Sequence, residues 1–513
     1  MSERVDPRDQ EAFDRLQERL VPLWRSIEHL NDAPQTIVVV PSVDVDYPLT
    51  PGLMQAYEER YLFLLLLLRQ PRARMVYVTG QRIDPAIVDY YLDLMPGVIA
   101  GHAKKRLSLV SPQEPTARPL ARKLLDRPRL LQRIRDLVPD PTRAHLVPFA
   151  TTWGDRELAM RLDIPMYGAD PRHLALGTKS ASRELFAEAG VDHPAGHEHI
   201  HTEDELLAAV GDLRRRHPTI GRLVVKLDEG VGGVGNAVVD LRGLGEPGAP
   251  DAVDELATRV REMAFELPEL AYPAFMEKLA SQGGIVEEMV EGDEIVSPSV
   301  QMRATPLGDV ELLSTHDQLL GGPSGQRFLG SRFPANPDYG PLISRQAMEV
   351  GRLLAARGVL GRFAVDFVVA RSAGGPWRSY AIELNLRKGG TTHPFLTLQF
   401  LTDGTFHADS GVFVTPSGTP KHFVASDHVE ADALRVFTPE DLFDVAMVRR
   451  LHFDQTRLTG TVFHMMSALP ELGQVGVTAV GDDPDDAEQR FREAERILVE
   501  EATLAATEPD VRR

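Results

Sequence analysis

The sequence predicts an α/β fold that passes into α+β. Two observations carry the prediction. Up to residue 170, short β-branched runs alternate with helix-length segments, the signature of a parallel sheet covered by helices. From 284 to 320, three strand-like runs follow one another with no room for a helix between them, as in an antiparallel sheet. At 513 residues the chain exceeds one ordinary core, and the changes of pattern divide it into 1–170, 171–404 and 405–513.

An amphipathic helix spans 8–30. Strand IVVV (37–40), helix 52–69, strand MVYVTG (75–80) and helix 84–95 follow, then strand RLSLV (106–110), a basic helix at 118–138 and strand HLVPF (145–149). Helix 154–162 and the short strand PMYG (165–168) close the alternation. The first strand ends in PSVDVDYP with no glycine fingerprint, so no nucleotide site is expected in this part. The run LFLLLLL at 62–68 is too short to span a bilayer and reads as a buried helix. From 171, helices at 178–190 and 203–216 lead into a glycine-rich hairpin, and helix 252–267 precedes GIVEEMV (284–290), EIVSPSVQM (294–302) and VELLSTHDQLL (310–320). The segment GGPSGQRFLGSRFP (321–334) reads as a glycine-rich loop before helix 342–357 and strands RFAVDFVV (362–369) and SYAIELNL (379–386). Past 404, strands near 459–465 and 474–480 and a charged helix 484–502 make a smaller α+β piece.

Composition removes several function classes. A formal net charge of −19 opposes a nucleic-acid or anionic-membrane partner, since phosphates would be repelled. The chain has no cysteine, which excludes disulfides, thiolate nucleophiles and Cys-based zinc sites. The N-terminal stretch MSERVDPRDQEAF is polar, with no apolar signal core, so a cytoplasmic protein is expected.

The stretch VVKLDEGVGGVGNAVV (224–239) contains GVGGVG, with Gly230, Gly232, Gly233 and Gly235. It fits the dinucleotide fingerprint, but that fingerprint should open a helix, and strand-like residues flank this one on both sides. It reads as a hairpin with Lys226 on its first strand, suited to act as a lid over phosphates. Strand alternation places Arg362, Ala364 and Asp366 on one face, and Glu383 and Asn385 on one face of the next strand. If the two strands pair, two carboxylates and an amide oxygen converge, a hard-oxygen set suited to Mg²⁺. The alternative is a pair of solvent-facing carboxylates on an antiparallel sheet. Glu287 and Glu294 bracket a strand–turn–strand that could take an adenine amino group and a ribose diol, with the Met289–Val290 backbone on the ring edge; an acidic β-turn is the other reading. Lys179 opens a helix, where a cation opposes the helix dipole, so an anionic partner explains it better than helix stability does, a solvated lysine being the default alternative.

These elements in this order, TKSASRELFAEAGVDHP, VVKLDEGVGGVGNAVV, IVEEMVEGDEI and AVDF…AIELN, resemble the ATP-grasp superfamily over residues 175–395. The flanks YEERYLFLLLLLRQP, STHDQLLGGPSGQRFLGSRFPA, IELNLRKGGTTHPF and GTVFHMMSALPELGQVGVTAVGD resemble the pheganomycin peptide ligase group. That resemblance implies a Rossmann-like pre-ATP-grasp domain, a two-subdomain ATP-grasp core and a small α+β C-terminal domain. It implies that Lys179 and Lys226 hold the α/β-phosphates and that Gly230–Gly235 closes over the triphosphate. Glu287 and the Val290 backbone would take adenine, Glu294 the ribose, and Asp366, Glu383 and Asn385 would hold Mg²⁺, two ions being expected and Mn²⁺ able to substitute. The D-alanine ligase branch places an arginine two residues before the metal aspartate, where this chain has Ala364, so the oxyanion-stabilising cation is open among Arg362, Arg387 and Lys388. The implied activity is ATP-dependent ligation of an amino-acid-derived acid to an amino acid or peptide amine through an acylphosphate. His316, Asp317, Gln318, Arg327 and Arg332 are candidate substrate contacts, or else a strand end and a surface loop. A small-molecule kinase and a nucleotide-gated binding protein are the alternatives. The sequence fixes neither the substrates nor the oligomeric state, and a homodimer is compatible with it.

Overall fold

The computed structural model describes residues 6–27, 33–43, 49–95, 97–230, 233, 235–245, 252–267, 269–322 and 325–507. Gly232 therefore lies outside the described residues.

The N-terminal sheet has four parallel strands in the order Leu107–Val110, Ala73–Val78, Gln35–Val40, Ala144–Pro148. Its central strand is buried along its whole length, as both faces of a parallel sheet require. Val38 and Val40 face one core, with Phe13, Leu124 and Leu158, while Ile37 and Val39 face another with the LFLLLLL segment. That segment forms a buried 3₁₀ helix, Arg60–Arg69, continuing helix Pro51–Glu59. Two expected helices are broken. Residues 8–30 give Pro7–Gln17 and Leu20–Ile27, and the basic helix divides into Leu120–Leu125 and Pro128–Asp136. Pro128 explains the second break, because proline has no N–H to donate and disfavours helical geometry at Arg127. PMYG is reduced to a single bridge between Leu146 and Met166.

A second, antiparallel sheet runs in the order Gly196–His197, Gly284–Glu288, Arg222–Leu227, Asn236–Asp240, Ala264–Phe265. Leu223, Val225, Leu227 and Val286 pack under helices Glu203–Arg216 and Tyr272–Gln282, so Val224, Lys226 and Glu287 are left to the opposite face. The run 284–290, expected beside 294–302, belongs to this sheet instead. Helix 252–267 stops at Arg261, and its end becomes the edge strand.

The third sheet has nine strands, and Gly361–Arg371 is the strand next to one of its edges. One edge of that strand pairs with Glu294–Val296 and then Pro298–Ala304, and the other with Arg378–Asn385. Beyond them follow Val310–Gly321, Arg327–Phe333, His422–Glu430, Gln474–Gly481 and Gly460–His464. Arg327–Phe333 corrects the loop expected at 321–334. It connects the strands before residue 404 to those after it, so the C-terminal segment extends the same sheet and builds none of its own apart from the short hairpin Thr405–His407/Val412–Val414. Phe333, Phe395, Phe413 and Phe423 pack together at that junction, in one core with the N-terminal Leu62–Leu66.

Candidate active site

Lys179 opens helix Lys179–Glu188, whose N-terminus is capped by the Thr178 hydroxyl and by Asp228, which accepts from the Ser180 amide at 2.8 Å. Asp228 lies two residues past Lys226, just beyond the end of the hairpin strand. Lys179 Nζ donates to the Gly230 carbonyl at 2.7 Å and to Glu383 Oε1 at 2.8 Å. The lysine at a helix start is thus held by a carboxylate from the large sheet and a carbonyl from the glycine hairpin. That charge opposes the helix dipole and is balanced from outside the helix.

On the facing sheet, Asp366 pairs in register with Glu383, and Ala364 with Asn385. The register shifts just beyond, between Asp366 and Phe367, a bulge that re-aims side chains next to the pair. Ser299 Oγ donates to Asp366 Oδ1 at 2.6 Å, Asn385 Nδ2 to Asp366 Oδ2 at 3.1 Å, and Gln318 also bonds the Asp366 carboxylate. Burial, with Glu383 opposite, pushes Asp366 up to about 6. Burial pushes Glu383 the same way, but Lys179, Arg387 and Lys226 outweigh it and hold this carboxylate below its ordinary value. Two carboxylates face each other here, and Asn385 spends its amide N–H on one of them, leaving its carbonyl oxygen for a further partner. Such a donor set fits a hard divalent cation, which would relieve the repulsion.

Lys226 Nζ bonds Glu287 Oε1 at 2.6 Å, and Arg183 takes Glu287 Oε2 at 2.7 Å while its Nε reaches Glu198 at 2.6 Å. Glu287 is therefore buried between two cations and orients Lys226. Val290 stands just past the end of this strand, after Met289, whose amide bonds Arg222 at 3.0 Å. Glu294 begins the next strand, exposed, and is paired with Arg371 through both oxygens. Its cross-strand partner is five residues from Asp366, roughly 16 Å along the sheet. The hairpin tip rests on the loop of the large sheet: Asn236 Nδ2 bonds Gln326 Oε1 at 2.6 Å. Gly233, at φ 86°, meets the Gln326 backbone so closely that a Cβ would lie 3.0 Å from its carbonyl oxygen. Only glycine takes that conformation without strain. At the base of the tip, Gly230 and Gly235 lie against each other.

The remaining candidates divide. Arg387 is half-buried, its charge acting on both Asp366 and Glu383, and its Nη1 bonds the Lys388 carbonyl at 3.3 Å. Lys388 is turned the other way, onto the Pro148 carbonyl of the N-terminal sheet, and burial together with Arg362 pushes it down to about 7. Arg362 sits against Arg303 and Tyr167 with a shielded, unpartnered Nη1, and burial lowers it to about 10. Both belong to the joint with the N-terminal domain, a correction to their expected catalytic placement. Of the substrate candidates, only Gln318 reaches the site. His316 is sealed among Phe333, Phe395 and Phe423, bonded to Ser314 Oγ at 2.8 Å and pushed by burial down to about 3, a neutral core histidine. Asp317 accepts from the Asn336 amide at 3.0 Å and the Tyr339 hydroxyl at 2.8 Å, bracing a turn. Arg332 pairs with Glu488 of the C-terminal helix at 3.1 Å, and Arg327 is exposed at a strand start, its charge acting on Glu430. Sequence reading missed Asp228, Arg183 and Ser299. Only Asp228 carried a signal, its two-residue spacing from Lys226.

Two lysines held beside a glycine hairpin, facing a carboxylate pair on an antiparallel sheet, fit a nucleotide-dependent transferase or ligase site. The comparisons make this specific. The family model described as IQCH-like, ATP-grasp matches residues 173–247 and 248–409, and that of the PGM1 C-terminal domain matches 441–494. The L-propargylglycine–L-glutamate ligase of Streptantibioticus cattleyicolor is 31% identical over 450 residues, 86% of this chain and 89% of that protein. The IQ motif-containing protein H of Danio rerio is 25% identical over 508 residues, 89% of this chain and 47% of that one. Among solved structures, an ADP complex of the N5-carboxyaminoimidazole ribonucleotide synthetase PurK has a TM-score of 0.51 at 12% identity, covering 91% of this chain and 97% of its own. The Campylobacter jejuni biotin carboxylase has 0.52 at 12%, covering 92% and 95%. The chain belongs to the ATP-grasp ligase family. It is an enzyme that forms C–N bonds at the expense of ATP, and ATP and Mg²⁺ are the cofactors of that family. No helix among the described residues is long and apolar enough to cross a membrane.

Proposed function

We propose that this chain activates the carboxylate of an amino-acid-derived acid as an acylphosphate and joins it to the amine of an amino acid or peptide. The observation that carries the reading is the 2.8 Å contact of Lys179 with Glu383, which joins the phosphate-binding cations to the metal-binding carboxylates. In this reading residues 171–404 hold the nucleotide: Lys179, Lys226 and the amides of the glycine hairpin take the phosphates, Glu287 and the Val290 backbone the adenine, and Glu294 the ribose after release from Arg371. Asp366, Glu383 and Asn385 hold Mg²⁺, two ions, with Mn²⁺ able to substitute. Bound there, Mg²⁺ neutralises phosphate charge.

The chain's own residues position and stabilise. An oxygen of the acid attacks the γ-phosphorus and ADP departs. The amine nitrogen then attacks the acyl carbon, phosphate leaves with the bonding electrons, and the amine proton passes to solvent. Arg387, next to the carboxylate pair, stabilises the negative charge that develops on the acyl oxygen. The enzyme works in the cytoplasm on small acids and amines, with a homodimer as the assembly to test by light scattering. The test of the function is ADP release over a panel of acid–amine pairs, beginning with propargylglycine and glutamate because those name the relative. The expected product has the summed mass of its substrates less one water, and EDTA abolishes it. A phosphorylated acid or alcohol as the final product would make the chain a kinase.

A further inference from the structure

Far from the motifs, three buried side chains converge. His393 is near the start of helix Thr392–Thr402, Asp427 lies on strand His422–Glu430, and His464 ends strand Gly460–His464. The two Nε2 atoms are 3.0 Å apart, His464 Nε2 is 2.8 Å from Asp427 Oδ1, and His393 Nε2 is 3.3 Å from the same oxygen. Hydrogen bonds alone leave this triangle unsatisfied. A proton on either Nε2 points along one edge only. Protons on both nitrogens would face each other, and a nitrogen without one sets its lone pair against a neighbouring lone pair.

We propose that His393, Asp427 and His464 form a structural Zn²⁺ site. Zinc held about 2.0–2.2 Å from nitrogen and oxygen donors spaces them by roughly 3.3 Å in tetrahedral geometry, close to the separations found here. The local structure is built for the convergence. Gly476 pairs with His464 in register, and a Cβ there would lie 2.1 Å from the His464 ring, so only glycine leaves the imidazole its place. The register irregularity between Ser426 and Val429 sits at Asp427, where a bulge re-aims one side chain. Gln474 Nε2 fixes the Asp427 carbonyl at 2.7 Å, and Arg60 takes Asp427 Oδ2, the oxygen turned away from the triangle. Orienting a ligand carboxylate through its second oxygen is the usual outer-shell arrangement. The buried Tyr61 hydroxyl lies beside Arg60 and Asp427. The ion ties the end of the nucleotide-binding core to two C-terminal strands, and through Arg60 to the N-terminal domain.

The experiment is elemental analysis, thermal unfolding and zinc K-edge X-ray absorption on the full chain. After chelation and dialysis, added Zn²⁺ is expected to rebind at about one ion per chain and raise the melting temperature by several degrees. The absorption spectrum should show about two imidazole nitrogens in the shell. Glu383→Gln should keep the ion, since it alters only the nucleotide site, whereas His464→Gln and Gly476→Ala should lose it. Less than about a tenth of an ion per chain with no thermal response to Zn²⁺ overturns the site. So does zinc lost in Glu383→Gln, or a shell of oxygens only, which decides the matter from the wild-type chain even if the histidine variant does not fold.

Discussion

Two clusters of charged side chains lie inside this molecule, and they differ in what surrounds them. Lys179, Lys226, Asp366, Glu383 and Arg387 come from three sheets or helices, the lysines buried but Asp366, Glu383 and Arg387 only half-buried; Asp366 and Glu383 confront each other, and Asp366 is raised to about 6. Arg60, His393, Asp427 and His464 come from three parts of the chain too, but are sealed, and Asp427 is held well below the ordinary carboxylate range: burial would raise it, but Arg60 and His393 overcome that. Charge left partly unsettled on half-exposed carboxylates is there for a ligand that completes it. Charge closed off from water joins parts of the fold. Lys388 and Arg362, adjacent to the first cluster in sequence, belong by this criterion with the second.

The largest effect should come from breaking the sealed cluster. Asp427→Asn leaves Arg60 buried without its counter-charge and is expected to cost about 3–5 kcal/mol in denaturant unfolding. Glu383→Gln takes a counter-charge from Lys179 but relieves Asp366, so it should cost less in unfolding than Asp427→Asn while lowering turnover by ~10²–10³, the scale for losing one preorganised electrostatic group. Lys226→Ala should weaken ATP binding about ten- to hundredfold in a nucleotide titration, since a hydrogen bond to a charged group contributes roughly 1.5–3 kcal/mol. Glu287 keeps Arg183 in that variant, so the fold should hold.

Lys388 sharpens the division through pH. Its folded-state value is lowered to about 7 from an unfolded value near 10.5, so between those limits the unfolded chain binds more protons and stability rises with pH. Wild type should gain on Lys388→Met by about 1 kcal/mol per pH unit between 7 and 9, and the variant should still bind ATP. Smallest of all, Arg332→Ala removes a solvent-exposed pair with Glu488 and should change stability by less than about 1 kcal/mol, with no change in ATP affinity.

The two clusters also differ in how far the sequence disclosed them. Asp366, Glu383 and Asn385 could be placed together because strand alternation sets which side chains share a face, and the two strands neighbour in the chain. Lys226 was legible for the same reason, and Lys179 through its position at a helix start. His316 misled because alternation tells which face a residue takes but not whether aromatic rings close over that face. Lys388 misled because the chain leaves the strand at Asn385, after which two-residue periodicity no longer applies. Arg327–Phe333 reads as a loop in the sequence because glycines at 321, 322, 325 and 330 outweigh a strand whose second partner, beyond the adjacent Val310–Gly321, lies almost a hundred residues further on. The His393–Asp427–His464 group had no local signal at all, since its members meet only through the shared sheet.

The central chemical step is an acylphosphate formed beside the Lys179–Glu383 pair. The direct measurement incubates the enzyme with ATP, Mg²⁺, a panel of amino acids as donors, and hydroxylamine in place of the amine. A mixed anhydride is open to that nucleophile, so ADP and the hydroxamate of one donor should appear in equal amounts, and both should vanish in Glu383→Gln. ADP released alongside a stable phosphorylated product that hydroxylamine does not intercept, or hydroxamate formed undiminished by Glu383→Gln, would contradict it.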